Sequence, residues 1–317
     1  MCEFQSVEFV GVMTELSCSA PRVVGLGEVL WDLFPDSRQP GGATANVAFH
    51  AAQLGACGIV VSRVGRDELG QEIVRYFADH DLITTHIQHD DSAPTGAASI
   101  EIGDHGHRFK IHEDVAWDRL EFTPHLQSVM QTASAICFGT LAQRGPFSRE
   151  TIQRCLWEAS DECVVVFDIN IRQHYFDRAT VERSIQSANI VKLNSDEVGI
   201  VCDLLQMPRE SYENFARRLC GQFGVELICI TRAERGCFVS SPDESVDVGG
   251  IPIQVADTVG AGDAFTAALL MSRLENWPLR PAVHFANEVG ALVASRSGAM
   301  PELKSEFRQL RERYMAL

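Results

Sequence analysis

The sequence predicts an α/β fold: a doubly wound, mostly parallel sheet flanked by helices. Three observations lead there. Apolar runs alternate with amphipathic stretches of helical period along most of the chain. Several of those runs end abruptly in polar residues, as parallel strands do where they deliver side chains to a cleft. One segment, 86–112, breaks the alternation with a hairpin pattern, which marks a small β insertion. The 317 residues read as one domain over 1–317, with 1–21 as a loose N-terminal extension.

The elements follow in order. "RVVGLGEVLWDLF" (22–34) reads as an apolar strand running into a second extended piece. "TANVAFHAAQLGA" (44–56) reads as a helix whose apolar side is Val47, Ala48, Ala51, Ala52 and Leu54. "CGIVVSRVG" (57–65) is a buried strand, and "DELGQEIVRYFADHD" (67–81) an amphipathic helix with Asp67 as N-cap. In "GAASIEIGDHGHRFKIH" (96–112) the residues Gly103-Asp104-His105-Gly106 close a hairpin. Strands resume at "SAICFG" (134–139), "CVVVFDIN" (163–170), "ANIVKLN" (188–194) and "VELICIT" (225–231). Helical patterns lie between them over 147–160, 178–187, 195–205 and 209–222. Beyond Asp257 the chain is mainly helical, over 261–275, 279–296 and 302–315.

Composition narrows the function. Hydrophobic residues are 45% and charged residues 22% of the chain, as in a folded soluble protein. Lys and Arg number 27 against 43 Asp and Glu, a formal charge of −16, which argues against a nucleic-acid or anionic-membrane surface. No run reaches the roughly 18 apolar residues of a membrane span. The N-terminal stretch holds no Lys or Arg before Arg22, unlike a secretory signal. The 10 cysteines include no Cys-x-x-Cys pair, and several sit in apolar runs, so free buried thiols in a reducing cytoplasm are expected.

Ligands of an open parallel sheet gather outside the carboxyl ends of its strands. Polar punctuation falls there at "GE" (27–28), "GTLAQR" (139–144), "DINIR" (168–172), "KLNSDE" (192–197) and "TRAERG" (231–236). The stretch "DTVGAGDAF" (257–265) adds a glycine turn that opens a helix. Gly260 and Gly262 let amides point into one space, and the helix start adds partial positive charge, which makes an anion hole. Asp263 stands in the first turn, where a carboxylate is stabilised and its basicity limited. Beside such a hole it can take a proton from a hydroxyl that attacks a held phosphoryl group. The plain alternative is a helix-start acid. The run is neither a dinucleotide fingerprint, since Phe265 occupies the third glycine's place, nor a Walker loop, since no Gly-Lys-Ser/Thr follows.

"DTVGAGDAF" resembles the C-terminal signature of the ribokinase-like sugar kinases, the phosphofructokinase-B family. "PGGATANVAFHAAQLGA" (40–56) is similar to the family's N-terminal signature, and "RVGRDELG" (63–70) to a recurrent segment. "NSDE" (194–197) resembles its Asn-x-x-Glu motif, "TRAERG" its nucleotide-side turn, and "ANEVGALVASRSGAMP" (286–301) its closing helix and turn. The resemblance runs in order over about 22–301.

The resemblance implies an ATP-dependent kinase acting on a sugar hydroxyl, with Mg²⁺. Asp263 would be the base, and the amides of Gly260, Ala261 and Gly262 the anion hole. Asp32, Gly41, Gly42, Asn46 and Arg172 would meet the sugar. Asn194, Thr231, Arg232, Gly236, Gly262 and Asn287 would meet ATP. Asn194 and Glu197 would order Mg²⁺, partly through water, although Asn-x-x-Glu also fits a capping box. Asp257, Val259 and Gly298 would offer oxygens to a K⁺ ion. A β lid built from 29–39 and 86–112 would close over the sugar and exclude water. Relatives dimerise through this lid, which Phe109 and Ile111 on an exposed sheet would suit.

"GEVLWDLFP" and "GGATANVA" look more like fructokinases than ribokinases, so fructose is the expected substrate. "FDINIR" is also similar to 2-keto-3-deoxygluconate kinases, where an Arg at the place of Arg172 meets a carboxylate; here it could equally bind phosphate or brace Asp168. A nucleoside kinase, an inactive sugar- or nucleotide-binding regulator, and a Rossmann reductase are the other readings.

Overall fold

The structure, a computed structural model, describes residues 19–103 and 106–315. The chain runs β1 (Arg22–Leu26), β2 (Leu30–Leu33), β3 (Arg38–Gly41), α1 (Ala43–Gln53), β4 (Cys57–Gly65), α2 (Glu68–Asp79), β5 (Ile87–Asp90), β6 (Gly96–Gly103), β7 (Gly106–Ile111) and α3 (Pro124–Thr132). It continues with β8 (Ala135–Gly139), α4 (Pro146–Trp157), β9 (Val164–Asp168), α5 (Arg178–Gln186), β10 (Ile190–Asn194), α6 (Ser195–Leu205), α7 (Tyr212–Phe223), β11 (Leu227–Thr231), β12 (Cys237–Ser240) and β13 (Ser245–Val248). Three helices close it: α8 (Ala261–Leu274), α9 (Leu279–Ala294) and α10 (Lys304–Met315).

The large sheet has the order β13-β12-β11-β10-β9-β8-β1-β4-β5. It is parallel from β11 to β5, and β12 and β13 pair antiparallel at one edge. The winding reverses between β1 and β8, which makes the carboxyl ends of those strands the expected mouth of a cleft. Both faces of the sheet are covered, which is why its strands read as unbroken apolar runs. In β8, Ile136 and Phe138 face one core cluster with Phe167, Val191 and Ile228, while Ala135 and Cys137 face another with Phe265, Leu269 and Val289. The rings of Phe138 and Phe167 stack across β8 and β9 at 5.0 Å.

A separate four-stranded sheet has the order β3-β2-β6-β7. The β6–β7 hairpin pairs Gly103 with Gly106, as the turn residues require; Asp104 and His105 lie outside the described residues. Two boundaries of the expected lid change. Residues 87–90 belong to the large sheet, where β5 pairs with β4, and β3 extends the small sheet to Gly41. Ile111 is buried rather than displayed on a surface, because it joins the main apolar cluster with Ala98, Trp117 and Leu120. The Phe109 side chain and residues 1–18 of the expected extension lie outside the described residues.

Helix starts follow their capping residues. Asp67 accepts the Gly70 amide ahead of α2, Thr123 that of Leu126 ahead of α3, and Ser211 that of Asn214 ahead of α7. No helix among the described residues is long and apolar enough to cross a membrane. One cysteine departs from the expectation of free thiols: Cys57 is disulfide-bonded. It opens β4 beside Arg22, so the chain entering β1 runs alongside it. Seven other described cysteines are free. Burial pushes the thiols of Cys155, Cys163 and Cys237 up to about 12, which keeps them neutral.

Candidate functional site

At the start of α8, Gly260 sits at φ 79° as N-cap. A side chain there would meet the Ala299 carbonyl at 2.3 Å, so both the backbone conformation and the close approach require glycine. A glycine N-cap brings no side-chain acceptor to the helix start. The Ala261 amide makes one long bond, 3.4 Å, to the Thr258 carbonyl, and no side chain caps the amides that follow, so the turn can receive an anion.

Asp263 stands in that first turn. Helix α1 packs against α8, and its Asn46 donates Nδ2 to Asp263 Oδ2 at 2.7 Å. Part of the Asp263 surface remains open, yet protein surrounds its carboxyl. Burial raises it from the usual range to about 6, against Lys192, Asn46 and Arg172, which pull it down; Asp168 pushes it up. The expectation that the helix start limits its basicity is thus corrected: burial outweighs the dipole.

The sugar-side candidates also gather here. Asp32 lies on β2 rather than in a loop, opposite Gln39 and Ala98. Its Oδ2 would stand 3.0 Å from a methyl at Gly41. Burial lifts the Asp32 carboxyl to about 6, Arg172 opposing and Asp257 adding. Gly42, at φ 128°, is the N-cap of α1, and a side chain there would strike the Glu28 carbonyl at 2.3 Å. Arg172 is exposed, its Nη1 donates to the Ile171 carbonyl at 3.4 Å, and its charge lowers the carboxyls of Glu28, Asp32 and Asp263 alike. It does not brace Asp168, which is held by Lys192 instead.

On the nucleotide side the picture is mixed. Thr231 ends β11, and its hydroxyl lies 3.5 Å from the Leu193 carbonyl. Gly236 takes φ 84° in the turn before β12. Asn287 on α9 donates to the Gly249 carbonyl at 3.1 Å. Arg232 donates from Nη1 and Nη2 to Asp247 and to the carbonyls of Cys237 and Val248, which braces the edge strands, while its buried Nε has no hydrogen-bond partner.

The metal candidates are tied up by amides. Asn194 and Glu197 form a reciprocal capping box at the start of α6. Glu197 Oε2 accepts the Asn194 amide and Oε1 the Ile171 amide, both at 2.7 Å. With both oxygens engaged, the pair fits Mg²⁺ through water rather than as direct ligands. Asp257 brings the other two cation candidates to itself by accepting the Val259 amide at 3.0 Å and the Gly298 amide at 3.1 Å. Among the described residues, no cluster of three or more His, Cys, Asp or Glu side chains is placed to hold a metal by itself.

Sequence reasoning placed Glu28 at a strand end by the cleft but gave it no role. It lies in the loop after β1, is 2% exposed, and accepts the Ala43 amide on Oε1 while Oε2 has no hydrogen-bond partner. Burial raises its carboxyl to about 7, against backbone hydrogen bonds and Arg172, with Asp263 adding to the rise. The available signal was an acid standing inside the apolar run VVGLGEVLW.

The description "pfkB family carbohydrate kinase" matches residues 12–306. A fructokinase of Salmonella typhimurium is 27% identical over 313 residues, covering 89% of this chain and 96% of its own. The crystal structure of an uncharacterized sugar kinase from Pyrococcus horikoshii is 27% identical with a TM-score of 0.79, over 92% of this chain and 99% of its own. A Xylella fastidiosa fructokinase with bound ATP has a TM-score of 0.82 at 22% identity, over 93% and 99%, which is a likeness of fold.

Glu28 yields a stability test. Its carboxyl is raised in the folded state, so the folded protein loses stability as pH rises from the unfolded value near 4.5 through about 7. Glu28→Gln removes that penalty while keeping an acceptor for Ala43. The variant is expected to melt like the parent at pH 4 and to be more stable at pH 8 by up to about 3 kcal/mol. Thermal melts at both values check this, and an equal change at both pH values would contradict it.

Proposed function

Because the chain belongs to the pfkB family of carbohydrate kinases, we propose that it moves the γ-phosphoryl group of ATP to a sugar hydroxyl, and that the sugar is fructose. The observation that carries this reading is Asp263, oriented by Asn46 at the open start of α8. Asp32 and the Gly41-Gly42 backbone bind sugar hydroxyls. Thr231, Gly236 and Asn287 line the nucleotide side. The small sheet acts as the lid that keeps water away from the phosphoryl group.

The attacking hydroxyl gives its proton to Asp263. Its oxygen bonds to the γ-phosphorus as the bond from that phosphorus to the β–γ bridging oxygen breaks, and ADP leaves with the electron pair. The amides of Gly260, Ala261 and Gly262 hold the equatorial oxygens, where charge is greatest in the transition state. Bound Mg²⁺ would neutralise nucleotide phosphates, with Asn194 and Glu197 orienting its waters. A carboxyl near 6 suits the base: it is ionised at neutral pH yet more basic than an ordinary aspartate.

A second reading is 2-keto-3-deoxygluconate. Arg172, exposed and with its charge felt by Glu28, Asp32 and Asp263, is the observation that favours it, since an acid sugar would need such a cation.

Asp263→Asn is expected to lower kcat by about 10³-fold while its circular dichroism and ATP binding stay as in the parent. Turnover close to the parent's would remove Asp263 from the base role. A panel of sugars with ATP and Mg²⁺, read as ADP release, is expected to give its strongest signal with fructose. A signal with 2-keto-3-deoxygluconate and none with fructose would replace the first substrate by the second.

A further inference from the structure

Lys192 is a lysine in a place that does not favour one. It is the third residue of β10, between Val191 and Leu193, and is 8% exposed. Its Nζ lies 3.1 and 2.9 Å from the two oxygens of Asp168, at the end of neighbouring β9. Burial works against the ammonium, but Asp168, Asp263 and Glu197 outweigh it and hold it firmly protonated. A buried ion pair rarely adds net stability over apolar residues of the same volume, so its retention calls for another use.

The position supplies one. A methyl group at Gly262 would stand 3.1 Å from Lys192 Nζ and 3.8 Å from Cε. The ammonium therefore lies against the bare backbone of 262, in the first turn of α8, a few tenths of an ångström closer than a side chain there would ordinarily allow. Among the charges acting on Asp263, that of Lys192 is the largest, ahead of Asp168 and Arg172. The ammonium therefore acts on Asp263 more strongly than its own counter-ion does.

We propose that Lys192 is the fixed cation of the transfer site: Asp168 locks it, Gly262 makes room for it, and its field stabilises the phosphoryl group held by the turn at 260–262. It acts through space and through that turn, so it is a positioning residue. A cation in a site of low polarity acts more strongly than one in water. The proposal rests on the reading of Asp263 and its turn as the transfer site.

The test compares Lys192→Met, Asp168→Asn, the double variant and Asp263→Asn, using the best sugar of the panel. Two readouts are taken: kcat, and the tightening of ADP binding when aluminium fluoride supplies a mimic of the phosphoryl group in flight. Lys192→Met is expected to lose about tenfold or more in kcat and in that tightening, with binding of ADP alone and the KM for sugar nearly unchanged. Asp168→Asn keeps an amide oxygen to hold Nζ in place but removes the opposing charge, and is expected to strengthen the tightening. The double variant leaves neither charge buried alone, so it folds even if Lys192→Met does not, and it is expected to show the same loss. Unchanged aluminium-fluoride tightening in the lysine variants, an equal loss for ADP alone, or a loss in Asp168→Asn would overturn the proposal. If Asp263→Asn is inactive while the lysine variants are fully active, only the role of Lys192 fails. If Asp263→Asn is active, the reading beneath it fails.

Discussion

A carboxylate at the open start of a helix feels two opposed forces. The helix end favours its ionised form by about 1 kcal/mol or less. Burial opposes ionisation, and the net rise of the Asp263 carboxyl from 3.8 to about 6, with its neighbours' effects included, corresponds to about 3 kcal/mol in the other direction. Burial decides, and the remaining groups trim the result: Lys192, Asn46 and Arg172 pull the carboxyl down, and Asp168 pushes it up. The product is an acid ionised near neutrality but not far from its proton, within reach of open amides.

Helix α1 makes that arrangement rigid. Asn46, His50 and Gln53 lie at intervals of four and three residues, on one face. Asn46 holds Asp263. The His50 ring, fully buried, donates from Nε2 to the Ala299 carbonyl at 2.9 Å, and Ala299 in turn backs directly onto Gly260. Gln53 donates to the Pro301 carbonyl and accepts the Leu303 amide. The same helix starts at Gly42, beside Asp32 and Glu28. One element thus fixes Gly41 and Gly42, Asp263 and the back wall of the Gly260 turn together. Such a helix is expected in a ribokinase-like α/β fold, where two ligands must meet at one edge of a parallel sheet.

Much of this was legible in the residues. Strands buried on both faces gave unbroken apolar runs, and every parallel strand but β5 stood out for that reason. The residue β5 lacked was apolar: "IQHD" is short and polar, and only its pairing with β4 places it in the large sheet. Helix α3 was missed because "PHLQSVMQT" carries a thin apolar stripe. The glycine turn and Asp263 were visible because backbone freedom is written directly into residue type. Burial and partner choice are not. Glu28 stands out only once its oxygen is seen without a partner, and Lys192 only once Asp168, 24 residues earlier, is placed beside it. Arg232 and Glu197, residue types suited to ligands, also hold the protein's own groups, which residue type alone does not announce. Cys57 joined a disulfide although nothing in its spacing announced one.

The central claim is that Asp263 works as a base whose ionisation is set by its surroundings: Asn46 on α1, Lys192 on β10, Asp168 on β9, Arg172 beyond β9 and Glu28 beyond β1. The pH dependence of kcat/KM tests it most directly, in the parent and in Asn46→Leu, which removes the hydrogen bond that favours the ionised form. The parent's activity should fall as pH drops through about 6, a limb belonging to the coupled cleft acids as a set. In the variant that limb should move to higher pH. A limb in the same place in both proteins, or activity that stays level down to pH 4, would contradict the account.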